Sequence, residues 1–162
     1  MRTALPLVAL AVAVALLLIG RGGDSGGGPL HGRVVRVVDG DTIQVQLDGG
    51  RTERVRYIGI DTPESVKPDT PVQCFAKKAS HFNSALVDGR DVVLRTDAEQ
   101  RDRYGRLLAY VYAGGRFINR ELVARGYART LTIPPNVAHA NEFARLAHDA
   151  RDAGIGLWRA CS

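Results

Sequence analysis

From Arg33 onward apolar and polar residues alternate with a period of two, and β-branched residues are frequent, which predicts strands. Arg33–Val38 reads as a first strand and Asp39-Gly40 as a tight turn. Thr42–Leu47 reads as a second strand with Ile43, Val45 and Leu47 on one face. A further turn at Asp48-Gly49-Gly50 leads into a third strand over Arg51–Ile60, giving an up-down-up meander. The period then becomes helical. Pro71 starts a helix along which Phe75, Ala79, Phe82 and Leu86 recur at helical spacing, and Gly89 ends it. Asp91–Thr96 and Leu107–Ala113 predict the fourth and fifth strands, and a short helix at 119–125 stops at Gly126. The last helix follows Pro134-Pro135, with Asn136 as its N-cap and Ala140, Phe143, Ala147 and Ala150 on its buried face. Five short strands with helices inserted after the third and the fifth fit an α+β domain: a five-stranded OB-type Greek-key β-barrel with three α-helices. That fold often binds oligonucleotides but fixes no chemistry by itself.

The first thirty residues are different in kind. Leu5 to Ile19 is apolar apart from Pro6, Arg2 precedes it, and a polar, glycine-rich string follows. The run is fifteen residues long, short of the roughly 20 that span a bilayer and close to the core of a signal peptide. Residues 1–20 therefore read as a cleaved signal peptide or a membrane anchor, 21–30 as a flexible linker, and 31–162 as one domain. Either leader points to export, to the exterior or the outer face of the membrane, with membrane contact through this segment alone. The chain carries two cysteines, Cys74 and Cys161, and in an exported protein such a pair predicts a disulfide. The net charge of +5 suits a polyanionic partner without requiring one.

Candidate chemistry begins with acids at two turns. Asp41 opens the second strand and Asp61 ends the third, so a meander brings both to the same end of the sheet. Two carboxylates that close repel unless a cation lies between them, and oxygen-only ligation suits Ca²⁺ or Mg²⁺. Pro63 takes a donor out of the ladder and biases Thr62 to an extended form, which frees a carbonyl as a third ligand. Arg56 and Arg106 could supply bidentate, always-charged contacts to phosphate. Taken singly, each feature has an ordinary reading: a hairpin turn, a proline turn, a solvated arginine. Their combination is what carries the chemistry.

The strings VVDGDT, VRYIGIDTPE and RDRYGRLLAYVYAGGRFINRELVARGYA, in this order and spacing, resemble the staphylococcal thermonuclease family over residues 31–158. That resemblance implies a calcium-dependent endonuclease acting on DNA and RNA, leaving 3′-phosphate products and working as a monomer. It implies that Asp41, Asp61 and the Thr62 carbonyl bind Ca²⁺ and that Glu64 orients or deprotonates water. Arg56 and Arg106 would hold the scissile phosphate, while Arg103 and Tyr104 would contact a terminal phosphate. One departure stands out: the family's founding member has two tyrosines near the base, about where this chain has Thr132 and Pro134. The competing reading is a non-catalytic OB-type module that binds nucleic acid or protein and retains a calcium site. Such a module would need none of Glu64, Arg56 and Arg106.

Overall fold

The alternating run folds as a meander in the computed structural model, which describes residues 28–65 and 71–161. The expected leader lies outside the described residues, as does most of the glycine-rich linker. Strand β1 (Leu30–Asp39) pairs antiparallel with β2 (Thr42–Leu47), and β2 pairs with β3 (Thr52–Tyr57). After a short β4 (Gly59–Asp61) comes helix α1 (Ala76–Val87), followed by β5 (Asp91–Arg95) and β6 (Leu107–Ala113). β5 pairs with β1 and with β6, and β6 returns parallel to β3, with Val55 opposite Leu107 and Tyr57 opposite Ala109. That last pairing closes a five-stranded barrel and removes its open edges. The OB-type architecture read from the sequence is the one observed.

Beyond the barrel, β7 (Arg116–Phe117) extends β6 and leads directly into α2 (Ile118–Ala124). A strand β8 (Arg129–Leu131) pairs with β4 in a separate two-stranded sheet. Helix α3 (Ala140–Asp152) and a single-turn α4 (Leu157–Ala160) complete the chain. The three expected helices are therefore present, with α4 in addition. Val34, Ile43, Val45, Val55, Tyr57, Leu94 and Val111 fill the barrel, capped by Ile118, Leu122 and Phe143 from the helices. As expected, Cys74 and Cys161 are bonded, tying the approach to α1 to the C-terminal end across 87 residues.

Three details depart from the sequence reading. The third strand breaks at Ile58, because Gly59 takes φ 78° and packs under Phe143. A Cβ at Gly59 would lie 2.8 Å from the Phe143 ring, so no other residue fits this bend. Helix α1 starts at Ala76, not Pro71, since Phe75 is held left-handed at φ 70° just after the bridged Cys74. Asn136 is not a helix cap, a position that falls to His139. It is buried instead, accepting from Glu99 N at 2.7 Å and donating to Glu99 O at 2.8 Å, so it binds one loop to another.

Gly59→Ala should therefore destabilise the domain by about 2–4 kcal/mol, from a left-handed non-glycine backbone and an overpacked ring contact together. The midpoint of urea unfolding measures this, and an unchanged midpoint would contradict the packing described.

Candidate active site

The β1–β2 turn carries two acids into the protein. Two irregularities in the pairing of β1 with β2 precede it, and Asp39 and Asp41 end only 7% and 6% exposed. Gly40 between them has no room for a side chain, since a Cβ there would meet Thr62 Oγ1 at 2.6 Å. The loop after β4 thus lies directly on the turn, as the meander requires. Asp41 Oδ2 accepts from Thr62 N at 2.8 Å and from Thr62 Oγ1 at 2.9 Å. Arg56 stands between the two acids, with Nη1 3.3 Å from Asp41 Oδ2 and Nη2 3.0 Å from Asp61 Oδ1. Nη1 also donates to the carbonyls of Tyr57 (3.0 Å) and Ile60 (2.9 Å), which the break at Ile58 turns toward it.

Negative charge exceeds positive here. Burial pushes the Asp61 carboxyl above its ordinary range; Arg56 pulls the other way, and the charges of Asp41 and Glu64 add to the rise. Asp39 is raised for the same first reason, burial, against hydrogen bonds from Ser65 and Gly40 and with a contribution from Glu64 and Asp41. Carboxylates that resist ionising, presented as oxygen donors alone, fit a hard divalent cation such as Ca²⁺. No group of three or more His, Cys, Asp or Glu side chains able to hold a metal occurs among the described residues. Two carboxylates and a carbonyl would fill only part of a calcium shell.

The phosphate-binding candidates gather next to this cluster. A cleft of about 400 Å³ is lined by Arg56, Arg103, Tyr104 and Arg106, among others. A second, about 450 Å³, is lined by Arg54, Glu64, Tyr104, Gly105 and Arg106, so Arg106 and Tyr104 border both. Arg106 is fixed through Nε, which donates to Asp102 Oδ2 at 2.7 Å. Burial alone would raise the Asp102 carboxyl, but Arg106 and the amides of Arg106 and Tyr104 outweigh it and hold it low. The Tyr104 ring is exposed and lies against both neighbouring guanidiniums, 4.8 Å from Arg103 and 5.5 Å from Arg106. A wider depression of about 930 Å³, bounded by His31, Arg33, Asp91, Arg95 and Tyr112, contains none of the candidate residues.

The family model described as staphylococcal nuclease homologue matches residues 54–160. The chain belongs to the staphylococcal nuclease family. The match takes in Arg56, Asp61, Thr62, Glu64, Arg103, Tyr104 and Arg106, while Asp41 precedes it. Over 125 residues the chain is 43% identical to a thermonuclease of Staphylococcus intermedius, covering 77% of this chain and 74% of that one. It is 40% identical over 126 residues to a thermonuclease of Staphylococcus hyicus, covering 78% and 74%. It is also 38% identical over 125 residues to the endonuclease YncB of Bacillus subtilis (strain 168), covering 76% and 59%.

Around this candidate site of a staphylococcal nuclease family member, several supporting residues escaped the sequence reading. Asn83, fully buried on α1, donates to Asp39 O at 3.0 Å and accepts from Tyr57 Oη at 2.9 Å, fixing the acidic turn from behind. A polar residue on the apolar stripe of a helix was the available signal. Glu53 on β3 holds Arg101 by two hydrogen bonds of 3.0 and 2.8 Å, and Arg101 also reaches Gly105 O at 2.8 Å. Together they clamp the loop that bears Arg103, Tyr104 and Arg106. On the cleft wall stand Leu131 and Ile133, while Thr132 and Pro134 do not line it. The 131–134 stretch thus brings aliphatic side chains to a cleft that Tyr104 also lines.

The hydrogen bonds from Arg101 hold the Glu53 carboxyl below its ordinary range, against a smaller effect of burial. A lowered carboxyl stabilises the fold fully above its unfolded-state value, and the contribution fades as pH falls through the folded one. Wild-type protein should thus lose denaturant resistance as acid is added below about pH 5, and Glu53→Gln should lose less over that range while starting weaker at pH 7. Parallel curves of urea midpoint against pH for the two proteins would contradict this.

Proposed function

We propose that this chain is a calcium-dependent endonuclease that hydrolyses phosphodiester bonds of DNA and RNA and leaves 3′-phosphate ends. The observation that carries the reading is that Arg106 borders both the cleft with Arg56 and the one with Glu64. A general-base candidate and two guanidiniums thereby stand around two neighbouring clefts that have Arg106 and Tyr104 in common. The relatives named thermonuclease and endonuclease support the same reading.

In this mechanism Arg56 and Arg106 grip the non-bridging oxygens of one phosphate, and their charge counts most as negative charge builds there. Arg56 is held by two carbonyls and two carboxylates, and Arg106 by Asp102, so neither needs to reorganise as the reaction proceeds. Glu64 orients a water and takes its proton as the water oxygen bonds to phosphorus. The bond from phosphorus to the 5′ oxygen breaks, and that oxygen is protonated from solvent. A Ca²⁺ held by Asp41, Asp61 and the Thr62 carbonyl would supply further positive charge at the phosphate. Arg103 and Tyr104 receive a neighbouring phosphate, and the aliphatic wall of Leu131 and Ile133 leaves affinity to rest mainly on phosphate contacts. The reading includes export, with the apolar leader either cleaved or retained as an anchor, and action as a monomer. A module that only bound calcium would have no use for two guanidiniums beside Glu64.

Plasmid DNA and RNA should be degraded with Ca²⁺ present and survive in excess chelator. Glu64→Gln should lower turnover by about 10²–10⁴ without loss of fold, and Arg106→Lys should also be severe, since an ammonium lacks the two-point contact. Full activity in chelator, or a lysine variant with normal turnover, would remove the basis for these roles.

A further inference from the structure

Glu64 meets Asp39 through its carboxyl, and its backbone is held by Gln73. The Gln73 side-chain oxygen accepts from Glu64 N at 2.8 Å, and Gln73 N donates to Glu64 O at 3.0 Å. Gln73 therefore satisfies both main-chain groups of Glu64 and frames its Cα from two sides. The adjacent Ser65 adds a tie to Asp39 at 2.7 Å. What holds Gln73 is less obvious. Residues 71–74 are all exposed, so burial contributes little to their position. On the α1 side, Ala76 N donates to Gln73 O at 3.1 Å.

The next residue, Cys74, is bonded to Cys161 at the end of α4. That helix is seated firmly: Leu157 is buried, and its amide donates to Gly126 O at 2.8 Å. A continuous covalent and hydrogen-bonded path thus runs from the core through Leu157, Cys161, Cys74 and Gln73 to Glu64. We propose that Gln73 is a positioning residue for Glu64 and that the Cys74–Cys161 bridge keeps it in place, so that turnover depends on the oxidised bridge. The proposal rests on the catalytic role given to Glu64 above. It makes the bridge a functional part of the site in addition to a staple for the chain ends. An exposed segment without a covalent anchor samples many positions. An ångström of misplacement at a catalytic group is costly.

The test compares the full-length protein and Gln73→Met, each oxidised and reduced by a thiol, with oxidised Gln73→Glu. Methionine keeps the length of the side chain and loses the acceptor, whereas glutamate keeps an acceptor. Two readouts are needed: steady-state turnover with Ca²⁺, well below the unfolding temperature, and hydrogen exchange of the Glu64 amide. Gln73→Met should lower kcat about ten- to a hundredfold and leave KM within about twofold, because phosphate binding is untouched. Gln73→Glu should recover most of the loss. Reduction should lower kcat in wild-type protein but add little in Gln73→Met, since both act through one contact. The Glu64 amide should exchange at least about fivefold faster in Gln73→Met and in reduced protein. Unchanged kcat in either sample, or additive losses, would overturn the proposal. Should oxidised wild-type protein cleave no nucleic acid, the proposed function fails while exchange still decides the clamp. A Glu64 amide equally slow in all five samples would then overturn it, and one released in reduced protein would uphold it.

Discussion

The arrangement of the site depends on how one guanidinium is accommodated. Arg56 lies on a barrel strand with its side chain only 12% exposed, a costly place for a charge without partners. Two carbonyls and two carboxylates receive it: Tyr57, Ile60 and Asp61 follow within five residues, and Asp41 stands at the head of the neighbouring strand β2. The carbonyls are available because the chain turns at Ile58 and Gly59, where a regular ladder would have engaged them elsewhere. That bend in turn needs a glycine, because the Phe143 ring of α3 occupies the space of a side chain. A packing contact in the core thus determines where the acids of the pocket stand.

The same guanidinium cannot neutralise everything around it. Asp39, Asp41, Asp61 and Glu64 act on one another electrostatically, and burial keeps two of them reluctant to ionise. A divalent cation would resolve that imbalance and make a phosphate welcome beside it. Arg106 has its own anchor, Asp102, so one of the two guanidiniums that would grip a phosphate is positioned independently of Asp41 and Asp61. Attraction and repulsion are thus arranged before any ligand arrives, which is the condition for electrostatic stabilisation without reorganisation.

Much of this was legible in the sequence, for identifiable reasons. Thr42–Leu47 alternates with a period of two, Leu107–Ala113 is a short apolar run that is buried on both faces at its centre, and both were bounded as observed. The convergence of Asp41 and Asp61 followed from counting strands in a meander. The disulfide was expected from the pair of cysteines together with the reading of the chain as exported, and the bond is present. What stayed hidden depends on contacts between distant residues. The break at Gly59 requires Phe143 of α3. The late start of α1 reflects the left-handed Phe75 and the pinned Cys74, which local propensity at Pro71 cannot report. Asn136 looked like a cap because asparagine usually is one there, yet its partners belong to Glu99, 37 residues earlier. The roles of Gln73, Asn83 and Glu53 were similarly invisible, since a polar residue reveals its partner only once the chain has folded.

In the proposed function the acidic turn, Arg56, Arg106 and Glu64 act together in hydrolysis of a phosphodiester. The chemistry of the cut ends tests it most directly. A defined oligonucleotide, digested with Ca²⁺ and analysed by mass spectrometry, should yield fragments ending in 3′-phosphate and beginning with 5′-hydroxyl. Fragments carrying 5′-phosphate and 3′-hydroxyl, or an oligonucleotide left whole, would contradict the account.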